Sequence, residues 1–240
     1  MPEIFLKTAD NIKIGVNHYV NNHDDVVIVC PGWFMTKDSQ SFRTISKDLS
    51  KNFDVLTMDF RGHGTSGGFF TFTAKEQFDL DAVVKYAKTE CKYNKIYLMG
   101  FSLGAATSIL YSAKHSIIDK LIAVSAPTDF YKIENKMYSP DAWIPTLFQK
   151  FEIKRWLTIR PDLIIRKKEK PIDFVDKINI PTLFIAGEKD PTVLPWHTEN
   201  LYNAAQCQKD YKLFKKARHA EDIYTESPQE FIDICTNWFK

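Results

Sequence analysis

With 240 residues, 44% of them hydrophobic, the chain is long enough for one sizeable domain and can supply it with a core. Its 32 Lys and Arg stand against 30 Asp and Glu, a net charge of +2, which gives no argument for nucleic acid or for a strongly charged partner. Cys30, Cys91, Cys207 and Cys235 show no CxxC spacing, and no stretch approaches the roughly 20 apolar residues of a membrane span, which disfavours a zinc knuckle, a redox pair and a transmembrane helix.

Residues 3–20 alternate loosely around the turn pair Asp10-Asn11 and predict an antiparallel hairpin. Residues 26–30 form a continuous apolar run closed by Pro31-Gly32. A helical pattern over 39–49 follows, then the run 53–60, closed by Arg61-Gly62-His63-Gly64. A helix over 74–90 leads to the run 95–99, which feeds Gly100-Phe101-Ser102-Leu103-Gly104, and a helix over 105–115 comes next. The run 121–125 ends at Ala126-Pro127, and 182–186 ends at Gly187-Glu188-Lys189-Asp190. A helix over 198–207 precedes the run 211–214, which heads toward Arg218-His219. The last helix is expected over 228–239, with Ser227 as its N-cap and Pro228 at the first helical position.

These runs are short and apolar on both faces, as strands buried between helices must be. Alternation of strand and helix predicts an α/β fold with a doubly wound, mainly parallel central sheet. In such sheets function collects at the carboxyl ends of the strands. Eight of the nine glycines (all but Gly15) lie just after predicted strands, along that edge.

One interval breaks the rhythm. No clean strand lies between Pro127 and Pro181, a gap too long for a plain connection. A small helical cap insertion is expected over 131–175, with 1–130 and 176–240 as the core. Residues 131–170 hold Tyr131, Tyr138, Trp143, Phe148, Phe151 and Trp156, which could line an apolar pocket or form the insertion's own core. They also hold ten Lys and Arg against five Asp and Glu; a solvated basic face is the simple reading, and a preference for anionic substrates the sharper one.

The pattern Gly-x-Ser-x-Gly between a strand and a helix needs a very tight turn. Gly100 and Gly104 remove a Cβ where backbones would collide, and Ser102 is lifted toward solvent. A serine hydroxyl is a poor nucleophile until a base lies within hydrogen-bond reach and that base is itself oriented. Of the six histidines, His18 and His23 lie near the early hairpin, His115 ends a helix, His197 precedes one and His63 sits in a tight turn. His219 follows the last strand and can reach back over the serine. For the acid, Asp190 follows the strand at 182–186, with Asp129 the competitor and Glu188 a weaker one; the order Ser102, Asp190, His219 favours Asp190.

The chain resembles the α/β-hydrolase fold superfamily, in particular small-cap serine hydrolases of the esterase, lipase and serine aminopeptidase-like kind. The resemblance is carried by Pro31-Gly32-Trp33, residues 59–68, Gly100–Gly104, Gly187-Glu188-Lys189-Asp190-Pro191 and His219-Ala220-Glu221, nearly the whole chain in the family's order. It implies that Ser102, Asp190 and His219 form a catalytic triad. It also implies an oxyanion hole made by the backbone N–H of Leu103 and that of Trp33, with Phe34 the alternative. Many relatives carry His-Gly where this chain has Pro31-Gly32, a change the amide donor survives. Phe34, Trp143, Phe148, Trp156 and Trp196 are candidates for the substrate pocket.

The function these readings imply is hydrolysis of a small-molecule carboxylic ester through an acyl-enzyme. Thioesterase, acyltransferase or peptidase chemistry on the same residues, and a non-catalytic binder of the same fold, are the alternatives. No cofactor or metal is expected, since no HExxH or similar ligand motif occurs. The N-terminal residues lack a basic and then apolar leader, so a cytoplasmic protein is expected.

Overall fold

Eight strands form one sheet in a computed structural model of the chain, which describes residues 3–133, 157–162 and 168–240. They are β1 Glu3–Lys7, β2 Lys13–Tyr19, β3 Val26–Cys30, β4 Asp54–Met58, β5 Ile96–Phe101, β6 Lys120–Val124, β7 Thr182–Gly187 and β8 Lys209–Phe214, in the order β1-β2-β4-β3-β5-β6-β7-β8. β2 pairs antiparallel with β1 and β4; every other pairing is parallel. The expected hairpin is β1–β2, turned through Asn11, whose φ of 71° is tolerated by its short polar side chain. β4 is shorter than the run 53–60: past Met58 one bond to β2 remains, the Asp59 N–H on the Gly15 carbonyl, and the Asp59 carboxylate takes the N–H of Lys37 and of Thr65.

The helices are α1 Gln40–Leu49, α2 Glu76–Lys85, α3 Leu103–Ser112, α4 Pro195–Ala204, α5 Glu221–Glu226 and α6 Pro228–Phe239. Strand side chains alternate between two cores. Val26, Ile28 and Cys30 of β3 pack with Leu80, Ile109 and Leu201, so α2, α3 and α4 cover one face. Val27 and Val29 pack with Phe42, Ile223 and Phe231, so α1, α5 and α6 cover the other. All five residues of β3 are fully buried, each aliphatic side chain contributing about 1.5–3 kcal/mol, which is why the strand reads as an unbroken apolar run.

Several boundaries differ from expectation. The helix expected to Glu90 leaves α-geometry after Lys85 and continues as one π-helical turn, Tyr86–Glu90, closed by the Cys91 N–H on the Tyr86 carbonyl. α3 starts at Leu103, directly behind the serine, and α4 starts at Pro195, whose missing N–H costs nothing at a first helical position. Ser227 stands at the N-cap of α6, but its hydroxyl makes no capping bond. It is instead a joint: its N–H donates to the Ile223 carbonyl of α5, a helix that sequence reading missed.

Most of the expected cap, 134–156 and 163–167, lies outside the described residues. The described parts of 131–175 hold short 3₁₀ turns at Phe130–Lys132 and Pro171–Asp173. They also hold a strap, 157–162, bound to the loop after β4. Pro161 bridges Phe70, the Arg160 N–H donates to the Gly62 carbonyl at 2.8 Å, and the Phe70 N–H donates to the Arg160 carbonyl at 2.8 Å. All four cysteines are free thiols. Among the described residues, no helix is long and apolar enough to cross a membrane.

Candidate active site

β5 delivers Ser102. Its N–H donates to the Val124 carbonyl at 2.8 Å, extending the β5–β6 ladder one residue past the strand. The next step turns sharply: Ser102 has φ 51° and ψ −113°, a conformation costing a non-glycine residue on the order of 1–3 kcal/mol. Two close approaches hold it there. A Cβ on Gly104 would run into the Cys30 carbonyl oxygen and stand 2.6 Å from that of Pro31; one on Gly100 would lie 2.5 Å from the Ala105 Cα. α3 therefore seats directly against the ends of β3 and β5, and a side chain at either glycine would push the helix off the sheet.

The loop after β8 brings His219 over that turn. Its Nε2 lies 3.0 Å from Ser102 Oγ, and its Nδ1 lies 2.6 Å from Asp190 Oδ2. Asp190 comes from the loop after β7. Its other oxygen accepts from the N–H groups of Thr192 and Val193, both at 2.9 Å, which fixes the carboxylate's rotation. The Glu188 N–H on the Phe214 carbonyl and the Lys189 N–H on the Ala217 carbonyl join the two loops, so the carboxylate and imidazole arrive in register. Asp190 is buried, whereas the His219 side chain keeps 22% of its accessible surface. Burial works to lower the His219 pKa, but the charge and hydrogen bond of Asp190, with Glu221 and Asp222 behind them, outweigh it and leave the pKa raised. A hydroxyl, an imidazole and a carboxylate so aligned can pass the hydroxyl proton to the ring while the carboxylate stabilises the resulting charge.

One participant escaped sequence reading. Ser125, at φ 49° just past β6, accepts from the Ala220 N–H at 3.1 Å. Ala220 itself has φ 51° and ψ −112°, so the residue after His219 is as contorted as the nucleophile, and Ser125 is what ties it down. In the sequence it is only the polar end of an apolar run.

The competing residues have other partners. Asp129 accepts from the Tyr131 N–H and pairs with Lys170, each at 2.9 Å, and Glu188 is exposed. His197 Nδ1 faces the Thr128 hydroxyl at 2.8 Å, His18 Nε2 faces the Tyr93 hydroxyl at 2.8 Å, and His63 Nδ1 lies 3.2 Å from the Arg61 carbonyl. His115 stacks on Tyr111, and His23 Nε2 lies 3.3 Å from the Ser50 carbonyl.

The loop after β3 flanks the serine: a Cβ on Gly32 would be 3.2 Å from that of Ser102. Trp33 follows, then Phe34 at φ 63°. The Lys37 N–H donates to Asp59 Oδ1 at 2.7 Å and fastens this loop to the end of β4. Burial pushes the Asp59 carboxyl up to about 6 against the opposing pull of Lys37. The Leu103 amide opens α3, where first-turn amides have no partner within the helix and the dipole is positive. The Trp33 ring packs on those of Phe34, His63, Phe70 and Phe72, with centroids 4.5–5.3 Å apart. Trp196, another pocket candidate, stacks on His197 at 3.7 Å, while Trp143, Phe148 and Trp156 lie outside the described residues. Among the described residues, no group of three His, Cys, Asp or Glu is placed to hold a metal ion.

Comparison with known proteins bears on the fold. The family model described as alpha/beta hydrolase fold matches residues 25–155. The uncharacterized protein YqkD of Bacillus subtilis is 28% identical over 90% of this chain and 74% of its own. The human serine hydrolase BPHL is 24% identical over 98% of this chain and 88% of its own. Among solved structures, the Pyrococcus furiosus esterase Pf2001 superposes with a TM-score of 0.80 at 23% identity, over 99% of this chain and 89% of that one, a likeness of fold.

Proposed function

The chain belongs to the alpha/beta hydrolase fold family, and from that premise we propose that it is a serine hydrolase that cleaves carboxylic esters through an acyl-enzyme. The observation that carries this reading is the hydrogen-bonded line Ser102–His219–Asp190, at 3.0 and 2.6 Å. Ser102 Oγ attacks the acyl carbonyl as His219 Nε2 takes its proton. The Leu103 and Trp33 amides hold the developing oxyanion, donors of a kind worth about 10²–10³ in rate each. His219 then gives the proton to the leaving alcohol, and a water activated by the same nitrogen releases the acid. Residues 131–175 act as a cap over a core of 1–130 and 176–240. Phe34 and Trp196 border the acyl pocket. Esters suit the site better than amides because an alcohol is the easier leaving group. A fluorophosphonate probe tests the reading directly: the wild-type chain should take up one equivalent covalently, and an unlabelled protein would refute it.

The pH profile follows from the electrostatics. His219 works as a base only when neutral, and its pKa lies above the ordinary 6.5. The kcat/KM for p-nitrophenyl acetate should therefore rise with pH through a midpoint above 6.5 and fall away on the acid side. A midpoint at or below 6.5 would mean that the titrating base is not an imidazole held by Asp190.

A further inference from the structure

Beyond the reacting atoms, one half-buried cation has no counter-ion among the described residues. Lys168 Nζ lies 4.6 Å from the centre of the Phe72 ring and 5.5 Å from that of Tyr131, and among the described residues no carboxylate is within ion-pairing distance of it. The nearest acids are already engaged. Both Glu76 oxygens accept from Thr71, and the Asp129 oxygens are taken by the Tyr131 N–H and by Lys170. Burial lowers the Lys168 pKa even though Glu76 and Asp129 pull the other way, as expected of an ammonium short of counter-charge.

Two further donors, on residues next to Phe72 in space or in the chain, lack acceptors among the described residues. Phe72 packs at 4.8 Å on Trp33, whose Nε1–H is buried and makes no hydrogen bond. Thr73, next in the chain, is fully buried, and its hydroxyl also has no partner. Buried donors left unpaired are costly, on the order of 1–3 kcal/mol each, and a native structure keeps few of them. Trp33 directly follows Gly32, the residue against Ser102, so the Phe72 ring packs on the loop that flanks the nucleophile.

We propose that Lys168, with the Trp33 indole N–H and the Thr73 hydroxyl, forms an oxyanion-binding subsite that selects esters carrying a carboxylate or phosphate at the end away from the scissile bond. This rests on the ester-hydrolase reading of Ser102. The ion pair forms as the substrate seats, so the benefit lies in binding and in KM.

The test compares p-nitrophenyl butyrate with mono-p-nitrophenyl glutarate, and 1-hexanoylglycerol with its 3-phosphate. Lys168→Met should lower kcat/KM for the anionic member of one or both pairs by about tenfold or more, through KM, and leave the neutral members unchanged. Lys168→Arg should restore it. The first pair reports a carboxylate site and the second a phosphate site. Hexanoate and hexyl phosphate titrated calorimetrically into the Ser102→Ala protein read the subsite without turnover. Anion binding lost with Lys168→Met supports the subsite even if no ester were cleaved. Anionic and neutral esters falling together in Lys168→Met, or neither anion binding to the Ser102→Ala protein, would overturn it while leaving ester hydrolysis standing.

Discussion

Ser102→Ala is expected to abolish fluorophosphonate labelling and to lower kcat for p-nitrophenyl esters by about 10⁶-fold, since loss of the nucleophile in a Ser-His-Asp enzyme costs about as much as loss of all three groups together. The residue left would be the binding and oxyanion contribution alone, about 10³–10⁴ over water. The fold should survive. Ser102 sits at φ 51°, and alanine, with the same Cβ, faces the same backbone cost there. The hydroxyl's only described partner is His219, so its removal strands no buried backbone group. A thermal melt close to wild type together with lost turnover is the expected pair of results. Substantial ester turnover in the variant would exclude Ser102 as the nucleophile.

Asp190→Asn should cost about 10⁴-fold in kcat, for a reason that lies in the hydrogen bonds. The Thr192 and Val193 amides both donate to one Asp190 oxygen, so in asparagine the carbonyl oxygen must stay there. The amide NH₂ then faces His219 Nδ1, which has to accept. The ring proton moves to Nε2 and points at Ser102 Oγ, where a lone pair is wanted. Loss of the carboxylate also removes what holds the His219 pKa up, so the acid limb of any residual activity should move to lower pH. Asp129→Asn is the control: it weakens the Lys170 pair and the Tyr131 turn, with little effect on turnover. Equal losses from the two substitutions would displace Asp190 from its role.

How much of this was legible in the sequence depended on whether the physics was local. The parallel strands announce themselves because both faces are buried, and Pro31, Gly62, Gly100 and Gly187 fall at or near the ends of β3, β4, β5 and β7. Ser102, His219 and Asp190 could be singled out because the fold type places all strand ends on one edge. What stayed hidden was settled by contacts far apart in the chain. α5 has six residues and is joined to α6 by Ser227, too short for periodicity to reveal. The π-helical turn after α2 has no sequence signature. Ser125 matters only through Ala220, 95 positions away, and Lys168 only through Phe72 and Tyr131.

The site's parts are unevenly distributed along the chain. Ser102, Asp190, His219, Ser125 and the loop from Gly32 to Lys37 all hang from the ends of sheet strands, and none belongs to residues 131–175. Lys168 does. On the reading proposed above, a lineage of such chains can therefore drift in which esters it accepts while its bond-breaking apparatus is inherited intact. The strap at 157–162 limits that freedom: its backbone pairs with the loop after β4 and the Arg160 guanidinium donates to the Gly68 and Ser66 carbonyls, so replacements there must keep both.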